Sequence, residues 1–149
     1  QLMECDFEKE SDTSSAIALR QLGPLSVELS FNIKDKESGI FRHLAGIGTT
    51  PGGFQVVYLH SLGHHEHVIY DVNLPHGTTL YATVISENNA GLKSYYKSSL
   101  VLDHTPPEIS ELAFNISSTE DSGSVMLTTT WSAEDMESGM NKCKIQIGM

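Results

Sequence analysis

The sequence predicts an all-β protein whose strands pack as an antiparallel two-sheet sandwich. Short segments of alternating polar and apolar residues recur along the chain; in SVELSF, residues 26–31, the side chains of Val27, Leu29 and Phe31 share one face. Turn signals separate these segments, and no stretch keeps a helical period long enough to predict a helix. Strands at this spacing are typical of a sandwich of about seven strands.

Four further segments fit strands, and each is bounded by turn residues such as Gly, Pro and Asn. FQVVYLH and EHVIYDV are rich in β-branched and aromatic residues, which favour strands. TTLYATVIS places Leu80, Ala82 and Val84 on the face opposite Tyr81. These segments and YYKSSLVL span residues 54–60, 66–72, 78–86 and 95–102, and the turns lie at residues 37–39, 50–53, 74–77 and 88–91.

The chain also repeats itself, because residues 26–48 align with residues 126–148 without a gap. Phe31 then meets Trp131, and the acidic turn DKESGI meets DMESGM. The repeat distance of 100 residues is too long for a solenoid and fits a small sandwich domain.

Two successive prolines in DHTPPEI, residues 103–109, mark a boundary, because proline cannot donate to a sheet ladder. We therefore predict a sandwich domain at residues 1–104, with an irregular acidic N-terminal segment, and strands A, B and C of a second domain at residues 105–149. Three strands alone would leave Trp131 uncovered. We expect the chain to be a stretch of a longer polypeptide, or to be completed by strands from a second chain.

Charge and hydropathy exclude two classes of partner. The formal net charge is −10 with only 9 Lys and Arg, which argues against nucleic acid and anionic membranes because both attract basic patches. No apolar run approaches the ~20 residues of a membrane-spanning helix, so we predict no membrane insertion.

Several turns and aromatic positions of the sequence resemble those of a known family. LPHGTTLYATVISENNAGLKS, residues 74–94, is similar to the fibronectin type III pattern, in which a Leu-Pro-Gly-Thr turn leads to a core tyrosine and then to an Asn…Ala-Gly turn. Trp131 lies where such modules carry their second-strand tryptophan, and Phe31 replaces it in the first unit. The combination of turns further resembles fibronectin type III-like repeats of large extracellular animal proteins, over roughly residues 24–149.

The resemblance implies a secreted, extracellular two-sheet sandwich used for adhesion, receptor architecture or spacing, without catalysis. It also implies that Tyr81 packs inward as a structural anchor while its hydroxyl bonds nearby backbone. Phe31 and Trp131 are the structural aromatic residues that it implies for the second strand.

The repeated acidic turn is the first candidate metal site. Calcium takes six to eight oxygen ligands, and Asp35 with Glu37, or Asp135 with Glu137, could supply part of such a set. The structural interpretation, which we favour, is that Asp35 caps its own turn, Ile40 enters the core, and the repeated glycines have positive φ. Those glycines are Gly39 and Gly139.

The histidine-rich segment HSLGHHEH is the second candidate. Zinc needs three or four ligands that converge on one point, and His60, His65 and His67 could meet if the predicted hairpin folded back. The segment lacks the His-Glu-x-x-His pattern of metalloproteases. We interpret it as a polar connecting loop, with zinc as the alternative.

No catalytic or cofactor-binding constellation is evident. GIGTTPGG, residues 46–53, is glycine-rich, but it lacks the Lys-Ser/Thr of a phosphate loop and the third glycine of a dinucleotide fingerprint. The Gly-x-Ser-x-Gly elbow of hydrolases is also missing from the sequence. Strand alternation places Cys143 inward with Ile145 and Ile147, and a buried thiol is inert. We therefore predict that the protein is not an enzyme.

Two cysteines are too few for a disulfide framework. We expect Cys5 and Cys143 not to be bonded to each other, because the first lies in the irregular start of domain one and the second in domain two. The sequon Asn115-Ile116-Ser117 predicts a glycosylation site and supports secretion.

These observations predict an extracellular structural or adhesive module of a larger protein. Its expected partners are other extracellular protein domains, including self-association or completion of the partial domain by another chain. The alternatives are a calcium- or zinc-binding module, and an accessory domain of a secreted enzyme or receptor.

Overall fold

The structure is a computed structural model that describes residues 2–6, 16–118, 121, 123–140 and 142–147, with the backbone alone described for residues 2–6. The described residues form antiparallel strands and no helix, which confirms the predicted all-β sandwich. The chain divides into two compact units, residues 11–104 (the sandwich unit) and residues 1–10 with 105–149 (the ribbon unit). The strands are β1 Leu2–Asp6, β2 Ile17–Gly23, β3 Ser26–Phe31, β4 Ile40–Gly48, β5 Val57–Gly63, β6 His67–Asp71, β7 Thr79–Asn88, β8 Lys93–Val101, β9 Glu108–Ser118, β10 Val125–Glu134 and β11 Lys142–Gln146.

Two sheets face each other in the sandwich unit. The three-stranded sheet has the order β2-β3-β6, and the four-stranded sheet has the order β5-β4-β7-β8. Strands β5 and β6 follow each other in sequence but belong to different sheets, so the chain crosses the sandwich between them. The core between the sheets is aliphatic and includes Val27, Leu29, Ala45, Ile47, Val72, Leu80, Ala82, Val84 and Leu102.

The glycine-rich segment at the end of β4 folds back over the outer side of the four-stranded sheet. Thr50 and Gly53 close a turn through an N–H···O bond of 2.9 Å, with Gly52 at a φ of 74°. A Cβ atom on Gly46 would lie 2.4 Å from Phe54 Cδ1, and one on Gly48 would lie 2.4 Å from the backbone of Gly53. Gly46 therefore makes room for the Phe54 ring, and Gly48 makes room for the backbone of Gly53.

The ribbon unit consists of two separate two-stranded pairs, β9 with β10 and β1 with β11. In the first pair Leu112 lies opposite Trp131, and a register shift follows at Ser132/Ala133. In the second pair residues 2–6 form a strand where the sequence predicts an irregular segment. Pairing with β11 groups residues 1–10 with residues 105–149, whereas the prediction placed them in the first domain.

The expectation that Cys5 and Cys143 are unbonded is wrong. Cys143 forms a disulfide, and Cys5 is the only other cysteine in the chain. The two residues lie directly opposite each other in the antiparallel β1–β11 pair. Opposed residues in such a pair have Cα atoms about 4.5–5.5 Å apart, which is within the range that a disulfide spans. The predicted separation failed because it assumed that Cys5 belonged to the first domain.

The expected inward alternation of β11 is only partly present. Cys143 and Ile145 are half-buried between exposed Lys and Gln neighbours, but Ile147, beyond the strand, is exposed. The repeat partner of Gly48, Gly148, lies outside the described residues.

Candidate interaction surface

The acidic turn at Asp35 is filled by hydrogen-bond donors. The backbone N–H groups of Glu37 and Ser38 both donate to Asp35 Oδ1 at 2.9 Å, and Asn88 Nδ2 donates to Oδ2 at 2.8 Å. The amide of Asn88 first, then these backbone groups, hold the pKa of Asp35 below its ordinary value. Gly39 has a φ of 75°. Asp35 thus caps its own turn, as the structural interpretation of the acidic turn predicts.

A second turn, residues 88–92, docks onto the first. Asn89 Nδ2 donates to the Ser38 carbonyl at 2.7 Å, and the Asn89 N–H donates to the Gly39 carbonyl at 3.1 Å. Asn88 Oδ1 accepts the N–H groups of Ala90 and Leu92. The two turn motifs that stood out in the sequence thus stabilise each other at one end of the sandwich unit.

The repeated turn in the ribbon unit has the same local geometry. Asp135 Oδ1 accepts the N–H groups of Glu137, Ser138 and Gly139 at 3.1, 2.9 and 3.3 Å. Gly139 has a φ of 80°. Glu137 Oε2 accepts a hydrogen bond from Thr105 Oγ1 at 2.5 Å. The repeat therefore preserves the aspartate cap and the glycine conformation of the turn.

The histidines of HSLGHHEH point to different partners. His60 Nδ1 lies 2.9 Å from the Tyr58 carbonyl, which can only accept, so His60 Nε2 is the acceptor for the Tyr70 hydroxyl at 3.2 Å. Burial raises the pKa of Tyr70 to about 12, which keeps this hydroxyl protonated. His64 Nε2 donates to the Phe41 carbonyl at 2.8 Å.

His65, the remaining predicted ligand, lies exposed in the turn after β5 and donates its backbone N–H to the Leu62 carbonyl. Among the described residues, His60, His65 and His67 do not come together as a three-ligand group. The physical reason is that β5 and β6 belong to different sheets, so the segment does not form a folded-back hairpin within one sheet.

His67 instead belongs to a row of charged and polar groups on the three-stranded sheet. Its Nε2 lies 2.5 Å from Glu28 Oε1, and Arg20 Nη2 lies 2.7 Å from Glu28 Oε2. The hydrogen bond from His67, followed by the interactions with Arg20, lowers the pKa of Glu28, although partial burial acts in the opposite direction. This row crosses β2, β3 and β6, the three adjacent strands of the sheet.

Tyr81 is half-buried on β7 and does not face the core, whereas the resemblance implies that it packs inward. Its neighbours Leu80 and Ala82 are fully buried between the sheets, and alternation along a strand turns Tyr81 to the other side. Its hydroxyl takes part in none of the side-chain hydrogen bonds between described residues. The role of Tyr81 as an anchor stays a prediction.

One buried polar pair was missed by the sequence analysis. His43 on β4 is 2% exposed, its Nδ1 lies 2.8 Å from Ser86 Oγ, and its ring packs edge-on against Phe31 at 4.9 Å. Burial lowers the pKa of His43, with Glu66 acting upward and His64 downward. Strand alternation with Ala45 and Ile47 was the signal that could have identified this core histidine.

One face of the β9–β10 pair is an exposed apolar surface of the ribbon unit, here called the apolar ribbon face. Register pairs Leu112 with Trp131, Phe114 with Thr129 and Ile116 with Leu127 on this side. Its large apolar side chains are between 37% and 69% exposed. They are Leu112, Phe114, Ile116, Val125, Leu127 and Trp131.

The opposite side, the polar ribbon face, carries the sequon. Asn115 lies opposite Thr128, Ala113 opposite Thr130, and Ser117 opposite Met126, which is the large apolar residue on this side. All these residues are exposed. The β9–β10 pair is therefore amphipathic.

Comparisons with models of known protein families and with curated proteins find no match for the chain. The described residues include no helix that is long and apolar enough to span a membrane.

Proposed function

We propose that the chain is an extracellular structural or adhesive module of the fibronectin type III kind, which acts through protein–protein contacts. The strand order of the sandwich unit supports this. In the constant-type immunoglobulin arrangement the first, second, fifth and fourth strands share one sheet. Here the fourth strand, β5, pairs with β4 in the other sheet, which is compatible with the fibronectin type III resemblance.

The observation that carries the proposal is the apolar ribbon face. Soluble monomers rarely expose contiguous apolar surface beyond a few hundred Å², and larger patches mark protein contacts. Trp131, at the repeat position of Phe31, is 46% exposed, whereas Phe31 is 7% exposed. We infer that a surface with this core-like composition binds an apolar partner surface, which another protein or further strands of a longer polypeptide would supply.

The sandwich unit indicates the chemistry of the partner. Its own β2–β3 pair presents Leu19, Val27, Leu29 and Phe31, and a facing antiparallel sheet with an aliphatic inner side buries them. The partner of the apolar ribbon face is accordingly a protein domain that supplies an apolar β-sheet surface. Unpaired outer edges of β9 and β10, within the described residues, offer backbone groups for added strands.

The test compares two double variants of the full chain in a cell-attachment assay on immobilised protein. Phe114→Glu with Leu127→Glu places charges on the apolar ribbon face, and Thr128→Glu with Thr130→Glu places the same charges on the polar ribbon face. We expect the first variant to lose attachment and the second to retain it. Equal attachment of both variants, each with its disulfide intact, would contradict the proposal.

Sedimentation velocity over a range of concentrations identifies the occupant. Association of the wild-type chain that the first double variant abolishes would show a second copy on this face. If the chain stays monomeric while cells attach, the partner of the apolar ribbon face is a domain of a different protein.

A further inference from the structure

The β9–β10 pair places the sequon at an accessible position. Asn115 lies near the middle of β9, on the polar ribbon face, with the small Thr128 directly opposite. Ser117, two residues later, is exposed on the same side, as strand alternation requires. The Asn115 amide takes part in none of the side-chain hydrogen bonds between described residues. A glycan on Asn115 would therefore project into solvent from the folded strand pair without displacing a side-chain hydrogen bond.

We propose that Asn115 carries an N-linked oligosaccharide. In this reaction the side-chain nitrogen Nδ2 forms a bond to the first sugar's anomeric carbon and loses one proton. The bond between that carbon and the diphosphate of a lipid-linked oligosaccharide donor breaks, and the diphosphate leaves with the electron pair. The chain contains one Asn-x-Ser/Thr triplet, so the site is unambiguous.

The position of the sugar assigns different roles to the two sides of the pair. A bulky, hydrophilic glycan on Asn115 keeps the polar ribbon face in solvent. Leu112, Phe114 and Ile116 alternate with Asn115 along β9 and so project away from the glycan. Protein contacts are thereby directed to the apolar ribbon face. This inference rests on the proposed extracellular function, because the transfer occurs in the secretory pathway.

The experiment expresses the full chain behind a secretory leader in eukaryotic cells. Glycosidase treatment and peptide mass are read on total cell extract and on medium, because the sugar is transferred as the chain enters the pathway, before folding or export is complete. We expect a deglycosylating amidase to remove one glycan from the wild-type chain and to convert Asn115 to Asp. Asn115→Gln and Ser117→Ala should each abolish the loss of mass on glycosidase treatment. Ser117→Thr and the neighbouring Ser118→Ala should retain it.

An unmodified Asn115 in both fractions overturns the inference. Failure of the attachment assay with Asn115 glycosylated counts against the proposed function alone. Intact attachment by a chain with unmodified Asn115 counts against the glycan alone.

Discussion

The β2–β3 and β9–β10 pairs are the two regions of the molecule that compare most directly. Both are antiparallel, and the 100-residue repeat relates β3 to β10. Phe31 at the end of β3 is 7% exposed, and Trp131 at the matching position of β10 is 46% exposed. The difference lies in what faces each pair: β2–β3 packs against a four-stranded sheet, whereas the large side chains of the apolar ribbon face are exposed among the described residues.

The comparison teaches that alternation determines which side of a strand is apolar, and that burial requires a second sheet. Val27 and Leu29 on the apolar side of β3 are fully buried. The apolar side of β10, which carries Val125, Leu127 and Trp131, is equally apolar but exposed. Local sequence therefore predicts which side of a strand is apolar, and tertiary structure determines whether another sheet covers that side.

We expect the largest difference in stability at the paired aromatic positions, Phe31 and Trp131. Phe31→Ala removes a buried side chain that packs against His43, and we expect a loss of about 3–5 kcal/mol in the free energy of unfolding. Trp131→Ala should cost less than about 1 kcal/mol because the side chain is already half in solvent. Hydrogen exchange measured strand by strand in the full chain reports each unit separately. Similar losses for both variants would show that the apolar ribbon face is covered in solution.

The disulfide should give the next effect, confined to the ribbon unit. Cys5→Ser with Cys143→Ser removes a cross-link that closes a very long loop, and we expect a loss of about 2–4 kcal/mol. A two-stranded pair is marginally stable alone, so amide protection in β11 should fall while protection in β3 and β7 stays unchanged. Unaltered exchange in β11 would mean that strand pairing alone stabilises it.

The two acidic turns allow a further comparison of the two units, with smaller expected losses of stability. Asn88→Ala removes the donor to Asp35 and the acceptor for two backbone N–H groups, so we expect a loss of about 1–2 kcal/mol in the sandwich unit. Asp35→Ala should destabilise its unit more than Asp135→Ala does, because Asp35 also accepts from Asn88. Denaturant midpoints check the order, and Lys36→Ala, an exposed change in the same turn, is the control. A reversed order would contradict the interlocked turns.

The smallest effect is a pH dependence that belongs to the sandwich unit alone. The folded protein disfavours protonated His43, so its pKa is lower in the folded than in the unfolded chain. Its contribution is full above about pH 6.5 and is lost as the pH falls through the folded pKa, with a slope of at most about 1.4 kcal/mol per pH unit. His43→Gln keeps a partner for Ser86 and should flatten this slope. Parallel wild-type and variant curves below pH 6.5 would show that His43 already titrates freely.

Much of the sandwich unit could be predicted from local patterns. SVELSF matches β3 residue for residue, and the predicted strand at 78–86 lies mostly within β7. The strand predicted at 54–60 starts three residues later, at Val57, because Phe54 belongs to the segment that folds over Gly46. The packing of the Phe54 ring over Gly46 is a tertiary contact that β-branched composition does not show.

The parts that failed depend on which distant segments meet. The crossing from β5 to β6 separates the histidines, and nothing in HSLGHHEH records it. Pairing of β1 with β11 brings Cys5 to Cys143 across almost the whole chain. The acidic turns were predicted more successfully, because an aspartate cap and a glycine with positive φ are local features.

The bond between Cys5 and Cys143 also determines how the chain carries mechanical load. Tension applied to the chain before Cys5 and after Cys143 passes through this covalent bridge, so residues 6–142, which include the whole sandwich unit, lie outside the path of force. While the bridge is oxidised, these residues do not lengthen under such a load. Reduction would place those 137 residues in series with the load, and their complete unfolding would then release about 450–490 Å of extended chain.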